Sequence, residues 1–365
     1  MRIGIDLTHT YHRNGGIQRY AVELTRALLK IDTRNEYVLF FRGEIPQALA
    51  EINCETKISS IKNQFLNEQM WLPKEIASSK LDVFHSTGFA GPVFYQGNIV
   101  RTIHDVSPFI HPETMKLSQF LYWRWLYPLS LRRNENIITD SEHSKADILK
   151  TFKVDEKKIF VIPLAPTTIF FNQEENNGEI RQKYHLPEEY FLMVGTLEPR
   201  KNYIRLLEAY HRLIVQNNRL PDLLFVGRKG WLYEDILQQI SKPDLAGRVH
   251  LTGAIPDIDL VQIYRRAKAL LYPSLYEGFG LPILEAMSCD CPVLTSNISS
   301  MPEVAGLAAE YVDPFSIDSI MQGMLSILQP ERRSDLINRG RLEIKRYSWE
   351  KTAEKTLKVY QQISI

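Results

Sequence analysis

The chain reads as an α/β protein of two doubly wound domains, and three observations predict this. Short apolar runs alternate with amphipathic helical patterns along almost the whole sequence, the mark of parallel sheets covered by helices. The alternation breaks once, over residues 163–178, and then restarts. Charged, glycine-bearing segments follow strand ends in both halves, where such sheets bind their ligands. Two domains of similar size then imply one shared central cleft.

In chain order, the first half predicts strands at residues 2–6, 37–41, 83–86, 98–103, 136–139 and 159–162. The opening Met1-Arg2-Ile3-Gly4-Ile5-Asp6 is a strand and not a signal peptide, because no long apolar region follows it. A helix over 16–30 places Tyr20, Leu24 and Leu28 on one face. Ser141 is placed to cap the helix that follows it, because its hydroxyl can accept from an unpaired amide of the first turn. The polar run Gln173-Glu174-Glu175-Asn176-Asn177-Gly178 reads as a loop at the domain boundary. The expected domains are 1–166 and 167–347. The second half predicts strands at 190–194, 222–226, 249–251, 269–272 and 292–295. Its helices are expected at 203–216, 234–240, 259–267, 282–288 and 317–328, with a last helix over 348–363.

Composition excludes several classes of function. Hydrophobic residues make up 44% of 365, too many for a disordered chain and enough for two cores. The formal net charge is +1, so no nucleic-acid partner is implied. Cys54, Cys289 and Cys291 have no metal or disulfide spacing, and the odd count suits a reducing, cytoplasmic setting. No run approaches the roughly 18 apolar residues of a membrane span, so any membrane contact is expected to be peripheral.

The most informative segment is Tyr276-Glu277-Gly278-Phe279-Gly280-Leu281-Pro282-Ile283-Leu284-Glu285. It follows an apolar strand, and Pro282 suits the first residue of a helix. Free amides at a glycine loop and helix start favour phosphate, while carboxylates suit sugar or ribose hydroxyls. Glu277 is expected on the loop and Glu285 in the first helical turn. A sugar, a diphosphate and a ribose in a row describe a nucleotide-sugar. Gly195-Thr196-Leu197-Glu198-Pro199-Arg200-Lys201-Asn202 follows another strand. Arg200 and Lys201 supply the positive charge that a departing diphosphate needs. Taken alone they are equally a solvated basic turn; beside the glutamate segment the functional reading prevails.

Weaker signals lie elsewhere. Gly15-Gly16 precedes a helix and lets a phosphate or acceptor approach the backbone. His104, at a strand end, is read as orienting a sugar hydroxyl, with Asp105 either holding its ring or capping the next turn. His85 is read as structural. Asp257-Ile258-Asp259 resembles a metal-binding pair but reads better as helix N-terminal caps, and no other metal spacing appears. Gly253-Ala254-Ile255 offers backbone groups to a nucleobase, and the loop at Arg228 either lines the nucleotide or is a turn. The stretch Phe120-Leu121-Tyr122-Trp123-Arg124-Trp125-Leu126-Tyr127-Pro128, with Arg132 and Arg133 beyond, fits core packing somewhat better than a membrane or acceptor surface. Trp71 carries the same ambiguity.

The whole pattern resembles the retaining glycosyltransferases of the GT-B fold, family 4, over nearly the full chain. The resemblance rests on Glu277 and Glu285 bracketing Gly-Phe-Gly-Leu-Pro, and on Gly195 to Asn202. Thr102 to Pro108 followed by Thr139-Asp140-Ser141-Glu142-His143-Ser144 is similar to a bacterial branch with mannosyltransferases of O-antigen and exopolysaccharide assembly. The resemblance implies two Rossmann-like domains, with the last helix crossing back onto the first. It implies Glu277 on hydroxyls of the donor sugar and Glu285 on the ribose. Backbone groups of Gly195, Gly278, Phe279, Gly280 and Leu281 would line sugar and phosphate, and Arg200 and Lys201 would neutralise the leaving diphosphate. Gly16 would add an amide to the phosphate and His104 would hold the sugar. No metal or other cofactor is implied. Pro163-Leu164-Ala165-Pro166 departs from the Asn-Gly turn common in relatives, which leaves the hinge side of the acceptor pocket open.

The expected activity is transfer of a hexosyl unit, with retention, from a nucleoside diphosphate sugar to a saccharide or lipid-linked oligosaccharide. GDP-mannose is the preferred donor, and Glu277→Ala is expected nearly to abolish transfer with the fold intact. Rivals are a UDP-sugar enzyme of the same fold, an epimerase or phosphorylase, and a non-catalytic nucleotide-sugar-binding subunit of an assembly complex. A dehydrogenase is disfavoured because the first loop lacks Gly-x-Gly-x-x-Gly.

Overall fold

The computed structural model describes residues 1–10, 15–88, 91–93, 95, 97–114, 136–171, 179–216 and 219–364. The aromatic stretch 120–133, the boundary loop 173–178 and His12 lie outside the described residues. The chain divides into two compact units. The first is Met1–Ile110, Leu117–Ala165 and Ser348–Ile365; the second is His111–Lys116 and Pro166–Tyr347.

The first unit holds a seven-stranded sheet of order β3-β2-β1-β4-β5-β6-β7. Its strands are β1 (Arg2–Asp6), β2 (Glu36–Arg42), β3 (Glu55–Ser59), β4 (Val83–Ser86), β5 (Ile99–Thr102), β6 (Asn136–Thr139) and β7 (Ile159–Val161). Every pairing is parallel, for example Ile3 with Tyr37 on one side and Val83 on the other. The edge strand β3 is absent from the sequence reading. Its Glu-Thr-Lys-Ile-Ser is mostly exposed, so it carries none of the apolar signal of a buried parallel strand.

The second unit holds a six-stranded parallel sheet of order β10-β9-β8-β11-β12-β13. Its strands are β8 (Tyr190–Val194), β9 (Asp222–Val226), β10 (Val249–Gly253), β11 (Ala269–Tyr272), β12 (Val293–Ser296) and β13 (Ala309–Val312). The short β13 and the helix Pro330–Glu343 are also additions to the sequence reading. That helix buries only Leu336 and Gly340, so its sequence shows almost no apolar stripe. In the core of this unit Phe191, Tyr203, Leu207, Phe225 and Leu271 pack together.

The last helix, Trp349–Ile363, belongs to the first unit and packs against the helix Gly16–Ile31. Tyr360 anchors it through its hydroxyl, 2.6 Å from His85 Nδ1, while His85 Nε2 lies 2.7 Å from Thr102 Oγ1. Burial drives the His85 imidazole down to about 3, so it is a neutral core residue, as its sequence position suggested. Thr352 donates to the Pro163 carbonyl at 2.8 Å, and Leu164 and Ala165 are buried. The turn that departs from the family pattern is thus fastened to the final helix.

Candidate active site in the second unit

The strand order of the second sheet reverses between β8 and β11, which lie side by side. Ligands of doubly wound sheets bind beyond the C-terminal ends of the strands at such a point. The loop after β8 carries Gly195 to Asn202, and the loop after β11 carries Tyr276 to Gly280. The two segments singled out in the sequence are therefore neighbours for a topological reason.

Their side chains meet. Glu277 Oε1 accepts from Lys201 Nζ at 2.6 Å and Oε2 accepts from Arg200 Nη1 at 2.8 Å. Arg200 Nη1 also donates to the Tyr276 carbonyl at 2.6 Å, and Nη2 to Glu198 at 2.7 Å. Lys201 donates to the Tyr272 hydroxyl at 2.8 Å. Glu277 is only 7% exposed and Lys201 8%, so water screens these contacts little. Burial alone would raise the Glu277 pKa; Arg200 and Lys201 outweigh it and hold the carboxyl at about 2. Burial lowers the Lys201 pKa despite the carboxylates beside it. Two cations and two carboxylates make the cluster formally neutral. A diphosphate would therefore bind by exchanging carboxylate contacts on Arg200 and Lys201 for phosphate contacts.

A hydrogen-bonded scaffold surrounds the cluster. Asn202 donates to the carbonyls of Pro273 and Pro314 at 3.0 and 2.7 Å, and the Leu275 amide donates to the Arg200 carbonyl. Ser300 Oγ donates to the carbonyls of Glu277 and Phe279, both at 2.9 Å, and Ser299 Oγ donates to the Glu277 carbonyl. These two loop carbonyls are thereby held by serine side chains of the same unit. The helix Leu281–Ser288 begins after Gly280, which has no side chain with which to cap it, and such a start suits an anion at its amides.

Gly280 has φ of 108°, and a Cβ there would meet Ile283 Cδ1 at 3.1 Å. Gly280→Ala is expected to destabilise the protein by about 1–3 kcal/mol; an unchanged melting temperature would contradict that strain. At Gly195, φ is 153° and a Cβ would come within 3.3 Å of Lys201 Cε, so bare backbone makes room for the lysine stem.

Several expectations need correction. Pro282 is the second residue of its helix, and Glu285 lies beyond the first turn. Glu285 is 1% exposed and accepts from the Tyr264 hydroxyl at 2.9 Å. Asp257 and Asp259 are not caps: Pro256 holds that position, and both lie within the helix Asp257–Arg266. Asp259 Oδ2 instead accepts from Lys183 Nζ and the Tyr184 hydroxyl, both at 2.6 Å, which occupies it structurally. Trp71 stands edge-on to Phe40 against the β2 side of the first sheet, as a packing residue.

The remaining residues lie at other strand ends. Arg228, after β9, is exposed, and its carbonyl accepts from the Leu197 amide at 3.0 Å. Ile255 is half-buried after β10, where the Gly253 carbonyl accepts from Gly227 at 2.9 Å. In the first unit Gly16 opens the helix Gly16–Ile31, with open space where a Cβ would stand. His104, after β5, is buried. Its Nδ1 lies 2.7 Å from Asp140 Oδ2, and Asp105 instead accepts from the Ser107 amide at 2.8 Å. Of the two roles open to Asp105, the structure selects the turn cap.

Glu198, Tyr272, Ser299, Ser300 and Asp140 are the contributors that sequence reasoning missed. Glu198 and Asp140 stand inside segments already singled out; the two serines carried no signal.

The comparisons with known proteins agree with this geometry. Residues 176–343 match the family described as Glycosyl transferases group 1, and residues 14–165 match Glycosyltransferase Family 4. O-antigen chain mannosyltransferase B of Escherichia coli is 32% identical over 94% of this chain and 95% of its own. The chain belongs to glycosyltransferase family 4, a retaining hexosyltransferase family. Its fold is GT-B. An Escherichia coli enzyme named UDP-Gal:alpha-D-GlcNAc-diphosphoundecaprenol alpha-1,3-galactosyltransferase is 29% identical over 77% of this chain and 76% of its own. The crystal structure of Anabaena HepE in complex with UDP and glucose superposes with a TM-score of 0.77 at 15% identity, covering 99% of this chain and 100% of that one.

Proposed function

We propose that this family-4 enzyme transfers a mannosyl unit from GDP-mannose to a saccharide carried on a lipid, in assembly of an O-antigen or similar cell-surface polysaccharide. The ion-paired set Arg200, Lys201 and Glu277 at the sheet's switch point carries the reading, because it offers diphosphate-binding cations beside a sugar-binding carboxylate. The name of the relative that matches 94% of the chain supports mannose and O-antigen.

In this reading Arg200 and Lys201 neutralise the leaving diphosphate, Glu277 binds donor-sugar hydroxyls, and Glu285 binds the ribose. The amides of Gly278, Phe279, Gly280 and Leu281, with Gly195, line the phosphate and sugar. Arg228 and Ile255 flank the nucleoside. In the first unit Gly16 gives an amide to phosphate and His104 a hydrogen bond to the sugar. The anomeric carbon–phosphate oxygen bond breaks, the acceptor oxygen bonds to the same face, and the acceptor proton goes to the departing phosphate. No metal is assigned to the reaction.

A UDP-sugar donor is the second reading, favoured by the name of the galactosyltransferase relative. A lipid-linked acceptor would make the protein peripheral to the inner face of the cytoplasmic membrane. No helix among the described residues is long and apolar enough to cross one. Incubation with GDP-mannose or UDP-galactose and a lipid-linked saccharide acceptor tests the assignment. GDP release with a new α-linked mannose is expected; transfer from UDP-galactose alone would replace the donor, and binding without release would indicate a non-catalytic subunit.

A further inference from the structure

The loops after β11 and β12 are neighbours because those strands pair in parallel. Ser299, in the loop after β12, grips Glu277 by both of its backbone groups. The Glu277 amide donates to Ser299 Oγ at 3.1 Å, and the same hydroxyl donates to the Glu277 carbonyl at 2.7 Å. One hydroxyl can do both, since it carries one proton and two lone pairs. Fastening the N–H and C=O of one residue to a single atom constrains its two backbone dihedrals. The direction in which the Glu277 side chain leaves the loop is thereby set.

Ser299 does this from a conformation that serine rarely adopts. Its φ is 59°, in the left-handed region, where any side chain is strained. Such strain persists only where the surroundings impose it, and it clusters at functional sites. Here the turn is anchored on both sides of Ser299. Ser296 Oγ donates to the Ser274 carbonyl at 2.6 Å and the Asn297 amide to the Val312 carbonyl at 2.9 Å. Beyond it, the Val304 amide donates to the Ser300 carbonyl at 3.1 Å. Glycine would fit this backbone with less strain, but it has no hydroxyl.

We propose that Ser299 is a positioning residue for transfer: it holds Glu277 at the donor sugar once Arg200 and Lys201 have exchanged the carboxylate for the diphosphate. In the free protein the two cations and Ser299 all restrain Glu277. Donor binding draws the cations away, and the hold on the backbone then keeps the carboxylate in place. Ser300 adds a second donor to the Glu277 carbonyl at 2.9 Å, whereas Ser299 holds the amide as well.

This role rests on the proposed nucleotide-sugar reading, and the test keeps the two separable. Ser299→Gly and Ser299→Ala both remove the hydroxyl, but only alanine keeps the strain. The glycine variant should therefore melt above the alanine variant. Both should nevertheless lower kcat by about 10–100-fold, leave GDP affinity unchanged and speed hydrogen exchange at the Glu277 amide. In a Glu277→Gln background, Ser299→Ala should lower kcat by less than about threefold more, because it acts through a carboxylate already lost. Turnover is measured with GDP-mannose and with UDP-galactose. Activity that follows the melting temperature, with Ser299→Gly as active as wild type, overturns the proposal, because that is the mark of a structural role. The same fold loss with and without Glu277→Gln, or unchanged exchange at the Glu277 amide, also overturns it. Wild-type protein that turns over neither donor, with exchange still faster in both variants, would refute the donor reading and not the hold on Glu277.

Discussion

Replacing Glu277 by glutamine should lower transfer by about 10³-fold or more while the protein still binds nucleoside diphosphate. The size follows from the role proposed for Glu277, an ionised acceptor for the donor sugar in a site where water screens little. Binding survives because the cluster is neutral in the native protein. Removing one carboxylate leaves Arg200 and Lys201 with net positive charge, so GDP should bind as well as before or more tightly. Glu277→Ala is a harsher change than the sequence suggested. It leaves a buried lysine and a half-buried arginine without their shared partner, and breaking such a pair costs about 3–5 kcal/mol. The alanine variant should therefore lose stability as well as activity. Differential scanning calorimetry of both variants checks this; equal melting temperatures for wild type and Glu277→Ala would show that the ion pairs do not hold the loop. The pH dependence has a fixed sign. With the Glu277 carboxyl held at about 2, its stabilisation is complete above the unfolded value of about 4.3 and is lost as pH falls below it toward 2.

Arg200→Ala and Lys201→Ala should each reduce kcat by about 10²–10³, with different companions. Arg200 is held by Glu198, the Tyr276 carbonyl and Glu277, so its loss frees Glu198, leaves Glu277 to Lys201 alone and gives the cluster a net negative charge that repels a diphosphate. Nucleotide affinity should fall along with rate. Glu198→Gln, combined with Arg200→Ala, should restore part of that affinity. Lys201 is the more buried cation and bonds the Tyr272 hydroxyl, so Lys201→Ala should also lower stability. Steady-state kinetics with nucleotide binding on the same variants separates these effects. Full activity in either single variant would remove that residue from the diphosphate.

Much of this was legible in the sequence because parallel strands buried on both faces write themselves as apolar runs. The 190–194 and 269–272 strands were readable for that reason, and the loops after them could be named before their contact was known. What failed has a common cause. The edge strand Glu55–Ser59 and the helix Pro330–Glu343 face solvent along most of their length, so burial leaves no periodic trace. Asp259 reads as a cap from its local neighbours, whereas its partners Lys183 and Tyr184 are distant in sequence. Glu198 and Asp140 are the instructive cases. Both stood in quoted motifs, but their roles depend on pairings, Glu198 with Arg200 and Asp140 with His104, that only the fold supplies.

We propose that the Arg200–Lys201–Glu277 cluster holds the diphosphate of a nucleotide-sugar without a metal. A thermal-shift panel of GDP-, UDP-, ADP- and dTDP-sugars in the presence of EDTA tests it most directly. At about one hundred times Kd a ligand adds about 2.7 kcal/mol by mass action, which is several degrees for domains of this size. Such a shift is expected with one nucleotide class, GDP-mannose first, and it should be lost in the Arg200→Ala, Lys201→Ala double variant. A folded wild type that shifts with none of them, or a shift that survives in the double variant, would contradict it.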